Sequence, residues 1–255
     1  MRRRMAGAGL LLLCGIMLLP STASAQDGSV ILEADVDGRP VGVGNLVLDP
    51  SQTAKVSITV RNNTNTLQRV KTVRISGTAL ALTFFAYDTT VPFEVPAKSS
   101  ETRSFPLEPT DLGSQAIGLL PVTVEVIDTQ RESIASVETT GDVKGSLWSV
   151  YGAFGLGVLV LTALSWAGAL IALARRRLPA NRWQRAMRFL PAGIGTGLIA
   201  VISLSVLRLV APSPTAEIPF IVGAAAAAFV LGYVTPHPGE RPPSSMDADT
   251  VRIQR

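Results

Sequence analysis

The sequence predicts a molecule in two parts, a Greek-key β-sandwich followed by a membrane domain of three transmembrane helices. Three observations predict it. Short stretches of alternating apolar and polar residues, punctuated by Gly, Pro, Asn and Asp, fill 26–142. Three long apolar runs follow at 148–174, 189–211 and 218–234. Between the first two lies "ARRRLPANRWQRAMR", Ala174 to Arg188, in which six of fifteen residues are arginine.

The first element is an address. "MRRRMAGAGLLLLCGIMLLPSTASAQ" has a basic start, an apolar core from Ala6 to Leu19 and the small-residue pattern Ala23-Ser24-Ala25. That is the form of a secretory signal peptide over 1–25, cut after Ala25. An uncleaved anchor helix is the alternative. Lipidation at Cys14 is disfavoured, because Leu13 precedes it and it lies inside the apolar core.

Cys14 is the single cysteine and His237 the single histidine. An internal disulfide, a Cys-built zinc site and a His-based triad are therefore excluded. No catalytic residue, metal ligand or cofactor is expected, and the chain reads as non-enzymatic.

The sandwich strands come next. "SVILEADV" (29–36) and "VGVGNLVL" (41–48) open it. "AKVSITVRN" (54–62) alternates Val56, Ile58 and Val60 against Lys55, Ser57, Thr59 and Arg61. "NNTNT" (62–66) is turn-forming. "LQRVKTVRIS" (67–76), "ALALTFFAY" (79–87), "ETRSFPL" (101–107), "LPVTVEVID" (120–128) and "SIASVET" (133–139) complete seven or eight strands. No stretch carries a helical period, and this count and length fit a Greek-key sandwich.

The segments "LVLDPSQTAKVSITVRNNTNTLQRV", "FEVPAKSSETRSFPLEP" and "IGLLPVTVEVID" resemble the bacterial immunoglobulin-like domains of the NEW3 and CARDB kind. The resemblance rests on a Pro/Gly turn before a strand that ends in an Asn-rich hairpin. A loop of the "PAKSS" type then leads to a late strand of alternating valines. It covers residues 45–140 and implies an Ig-like binding or spacer module without chemistry of its own.

In "TALALTFFAYDTTVPF" (78–93) both faces of the expected strand are apolar. Leu80, Leu82 and Phe84 lie on one face, Phe85 and Tyr87 on the other. A sandwich strand normally wets one side, so Phe85, Tyr87 and Phe93 are candidate partner contacts. The alternative is that a neighbouring loop or the membrane-proximal region covers them.

The arginine stretch answers to topology. Arg175, Arg176, Arg177, Arg182, Arg185 and Arg188 resist translocation and would pin 175–188 on the cytoplasmic side. The segment from Gln26 to Ser146 instead holds ten Lys or Arg and fifteen Asp or Glu. The basicity is thus a membrane signal, not a nucleic-acid groove. The N-terminal domain is expected outside and the disordered tail, 235–255, inside. Trp148, Tyr151, Trp183 and Tyr233 fall where interfacial rings settle.

Within the spans, Gly193, Gly197 and Gly223 mark faces where helices can approach closely. Arg208 and Glu217 are expected to pair across the outer turn or to snorkel.

The resulting expectation is a multi-pass plasma-membrane protein in contact with lipid. It would present its outer domain to an envelope or membrane-protein partner as a binding module or scaffold. An accessory subunit of a membrane transporter or export complex is the alternative.

Overall fold

A computed structural model of the chain describes residues 30–236. The expected signal peptide and the tail from 237 onward lie outside the described residues.

Alternation along the strands builds two sheets. In the first, β1 (Val30–Val36) pairs on one side with the two-residue β2 (Arg39–Pro40). On its other side lies β4 (Ala54–Asn62), which pairs in turn with β7 (Ser99–Leu107). All these pairings are antiparallel. The second sheet has the order β3 (Asn45–Leu48), β9 (Ser133–Val143), β8 (Gly118–Ile127), β5 (Gln68–Ala79), β6 (Leu82–Val95). It is mixed, because β3 runs parallel to β9.

Of the expected strand over 41–48 only Asn45–Leu48 is a strand, and 41–44 is the turn that carries the chain from β2 in one sheet to β3 in the other. The chain crosses between them through Gly42 and Gly44, both at positive φ, where residues bearing a Cβ are strained. A single helical turn, α1 (Leu112–Gln115), precedes β8.

The core lies between the sheets. Val56, Ile58 and Val60 of β4 face Val122, Val124 and Val126 of β8, and all six are fully buried. Each such side chain contributes about 1.5–3 kcal/mol on leaving water. Asn62 is the buried polar exception. Its amide nitrogen donates to the carbonyls of Thr66, Val95 and Pro96 at 2.8–3.1 Å. Its oxygen accepts from the backbone N–H and hydroxyl of Thr64.

One strand behaves differently from its sequence reading. Residues 78–93 form not one strand but a hairpin, which turns at Leu80 and Ala81 with φ of 52° and 60°. Phe85 then points inward, over Gly77, where a Cβ would collide with its ring. Phe85 and Phe93 are both buried in the core. Their expected exposure as partner contacts does not hold: a register shift beside Gly77 returns Phe85 to the inner face that Ile75, Gly77 and Ala79 share, and the outward Phe84 meets the helices instead.

Three helices follow, α2 (Val150–Ala174), α3 (Arg182–Val206) and α4 (Pro214–Val234). Their mean hydropathies of 2.2, 1.9 and 1.8 suit membrane spans. At 1.5 Å per residue they extend about 37, 37 and 31 Å. Ser149, Asn181 and Ser213 cap their N-termini by accepting backbone N–H bonds. The middle span thus starts inside the arginine stretch and stops at Val206. Only 175–181 is a connecting loop.

α3 packs against both α2 and α4. A Cβ on Gly193 would lie 2.5 Å from that of Ala228, and one on Gly197 would lie 2.5 Å from the Cα of Ile221. These glycines let α3 and α4 touch backbone to backbone. Gly223 does not share this role, because open space surrounds it.

Candidate functional site where the sandwich meets the helices

Four points of the sandwich each hold a helix end. The first turn of α2 buries Tyr151 completely. Phe84 meets the Tyr151 ring edge-on at 4.7 Å and that of Phe154 at 5.9 Å. Tyr151 is therefore a wedge between domains, not the interfacial ring its position suggests.

The last turn of α3 abuts the start of β8. Ser205 Oγ donates to the Leu119 carbonyl at 2.6 Å, and the bond is buried. Gly118 makes this approach possible. It sits at φ +88°, and a Cβ there would strike the backbone of Ser205 and Val206.

Just beyond α3, Arg208 Nε donates to Asp142 Oδ1 on β9 at 2.6 Å. Glu217, in the first turn of α4, accepts the backbone N–H of Leu80 at 3.2 Å. The expected Arg208–Glu217 pair is thus replaced by two contacts to the sandwich. Each side chain finds a partner more than sixty residues away.

Arg208 ends its helix in the left-handed region at φ 59°. Its own N–H bonds Ser205 O, and Leu209 N–H bonds Leu204 O, the paired bonds of a Schellman ending. Arg208→Met keeps the stem and removes the charge. A loss of about 1 kcal/mol is expected, because the pair is partly exposed. Thermal unfolding in detergent should show this loss at low salt and a narrower gap at high salt.

The arginine stretch lies at the opposite end. Arg175, Arg176 and Arg177 are exposed, and Arg182 and Arg188 extend from the first two turns of α3. Arg185 is fully buried, donating through Nη1 to the carbonyls of Pro179 and Ala180 at 3.2 and 3.1 Å. Nearby, Trp183 meets Phe229 and Tyr233 edge-on.

Tyr87 is half-buried, and burial pushes its phenol pKa up. Its neighbour Asp88 faces Arg74 in two bonds of 2.7 and 2.9 Å, which hold the Asp88 carboxyl below the usual carboxylate range.

Two clefts flank the junction. One, of about 480 Å³ and apolar, runs between α2 and α3 beside Gly152, Gly155 and Ile202, with Trp148 at its edge. The other, of about 970 Å³, separates the β5–β6 turn and the threonine-bearing face of β8 and β9 from α4. Among the described residues no group of three His, Cys, Asp or Glu gathers as a metal site. The chemistry assembled here is that of holding: hydrogen bonds, an ion pair and packed rings.

Gly118, Ser205, Asp142 and Tyr151 carry the junction and were not singled out as a site by sequence. A glycine opening the valine-rich run of β8 was the one available signal.

No protein-family model matches the chain, and no curated protein matches it. Among solved structures, a Niemann-Pick type C2 protein from Japanese carpenter ant aligns at 9% identity and TM-score 0.37, covering 46% of this chain and 93% of that one. A Bacillus subtilis sporulation control protein aligns at 10% identity and TM-score 0.33, covering 52% and 56%. An alkylpurine DNA glycosylase from Pseudomonas fluorescens aligns at 15% identity and TM-score 0.31, covering 45% and 30%. Likeness this slight carries no argument about function. The chain spans little over half of the second protein and under a third of the third.

Proposed function

We propose that the chain is a non-enzymatic integral membrane protein that presents an Ig-like sandwich outside the plasma membrane to an envelope partner. The observation that carries this reading is the junction. The sandwich is held by all three helices, so a bound partner would sit at a fixed attitude to the bilayer. The arginine stretch lies at the end away from the sandwich, which supports a sandwich outside and a C-terminus inside. Charged and hydroxyl side chains on the outer sheet faces, such as Arg74, Asp88, Ser57 and Thr102, suit polar recognition.

The alternative, an accessory subunit of a transporter or export complex, draws support from α2. Its apolar side chains, among them Leu156, Leu161, Leu164 and Leu170, are exposed along its length. The cleft beside Gly152 and Gly155 would accept a neighbouring helix.

Crosslinking in intact cells, followed by mild-detergent purification of the tagged full chain and mass spectrometry, tests both. The leading reading expects envelope components joined through the sandwich. One stoichiometric multi-span protein joined through α2 would instead establish the accessory subunit. Enrichment of neither would remove both.

A further inference from the structure

The tip of the β5–β6 hairpin is an unusual turn. Its central residues, Leu80 and Ala81, both stand in the left-handed region, where Asn and Gly are the ordinary choice. Neither residue is polar, and Leu82, which follows, is 47% exposed. An apolar, strained turn pointing into water would be a liability twice over.

Its position shows what surrounds it. Leu80 is bonded to Glu217, the fourth residue of α4, and Phe84 lies against Tyr151 and Phe154 in the first turns of α2. At 1.5 Å per residue, these anchors are about 2–6 Å inside the helix starts. The tip therefore stands level with the beginnings of two spans. At the same end of the bundle, Leu147 and Trp148 before α2 and Val150 at its start are exposed, as are Leu207 and Leu209 after α3. From this level, exposed apolar side chains such as Leu156, Leu159 and Val160 continue along α2.

We propose that Leu80-Ala81-Leu82 is a membrane-inserted loop, seated among phospholipids at the boundary between headgroups and acyl chains. The inference rests on the reading that the three helices span a bilayer. It also accounts for Glu217. A two-residue turn leaves the Leu80 N–H outside the strand ladder, and such a group needs an acceptor where water is scarce. Glu217 supplies it from the first turn of α4, where a carboxylate is also favoured by the helix dipole.

The test uses the full chain with Cys14→Ser, reconstituted in phosphatidylcholine vesicles. An environment-sensitive fluorophore is placed at Leu82→Cys. Companion labels go at Leu164→Cys, in the middle of α2, and at Gln130→Cys, in the β8–β9 loop at the far end of the sandwich. Quenchers are aqueous iodide and lipids bearing a spin label near the top or the bottom of the acyl chain.

The proposal expects a blue-shifted label at position 82 that loses most of its emission to the shallow spin label and little to iodide. Iodide quenching at 82 equal to that at 130, with position 164 quenched by lipid, would overturn the loop while leaving the spans intact. Protection of position 82 from both quenchers would overturn it in favour of a protein cover. Failure of lipid to quench position 164 would overturn the spanning reading and this inference together.

Discussion

Gly118→Val is expected to pull the sandwich away from the helices at a cost of roughly 3–5 kcal/mol. Two effects combine. Valine at φ +88° is strained, and its Cβ would overlap the backbone of Ser205 and Val206. A flexible side chain could yield, but a helix backbone moves only as a body. Relief therefore requires the end of α3 to withdraw, which breaks the buried Ser205–Leu119 hydrogen bond and leaves the carbonyl unpaired. Calorimetry of the full chain in detergent should show one cooperative transition for the parent. For Gly118→Val it should show a separate, earlier sandwich transition. Protease cleavage should also appear in 144–149. A variant that melts as the parent does would mean that the close approach is unimportant.

Asn62→Leu is expected to cost about 3–4 kcal/mol despite its similar size and greater hydrophobicity. Asn62 ties the start of the β4–β5 connection to the end of β6 through donors that serve three carbonyls. Leucine would leave the Val95 and Pro96 carbonyls without this donor and the Thr64 N–H without its acceptor. Asn62→Asp keeps the acceptor but turns an oxygen toward the same carbonyls, so it should be no better. Hydrogen exchange would locate the damage at residues 62–68 and 95–99. Unchanged protection there would contradict the assigned role.

The two cases differ in what could be read beforehand. "NNTNT" announced a turn, but not which asparagine would be buried, because that depends on β6 arriving beside it. The periods of β4 and β8 were plain, since Val56, Ile58 and Val60 on one and Val122, Val124 and Val126 on the other alternate with polar residues. The hairpin at Leu80 and Ala81 was concealed, because Leu-Ala carries none of the usual chemistry of such a turn. With both faces of 78–93 apolar, the sequence does not say which is inner; the Leu80, Leu82 and Phe84 face is the outer one, and Phe84 on it is covered by Tyr151 and Phe154.

The end of α3 is concealed in the same way. Arg208 occupies a left-handed position where glycine would be the signal, so the sequence extends α3 past Val206, whereas the end of α2 at Ala174 is legible despite Arg176 at φ 53°. The start of α3 was legible in Asn181, a capping residue, but the charge around it read as loop. Arg208 and Glu217 looked like partners because only nine positions separate them. Sequence alone could not show that Asp142 and Leu80 stand closer.

The plug of α3 into β8 also determines where a mechanical load travels. The covalent route from the sandwich into the bundle is the short stretch from Lys144 to Ser149. The shorter physical route runs through Gly118, Leu119 and Ser205 into the middle helix, which touches both of its neighbours. A tug on the sandwich is thus delivered to the centre of the bundle. It is carried some 37 Å along a stiff rod to the first two turns of α3, which hold Arg182, Arg185 and Arg188 at the opposite end.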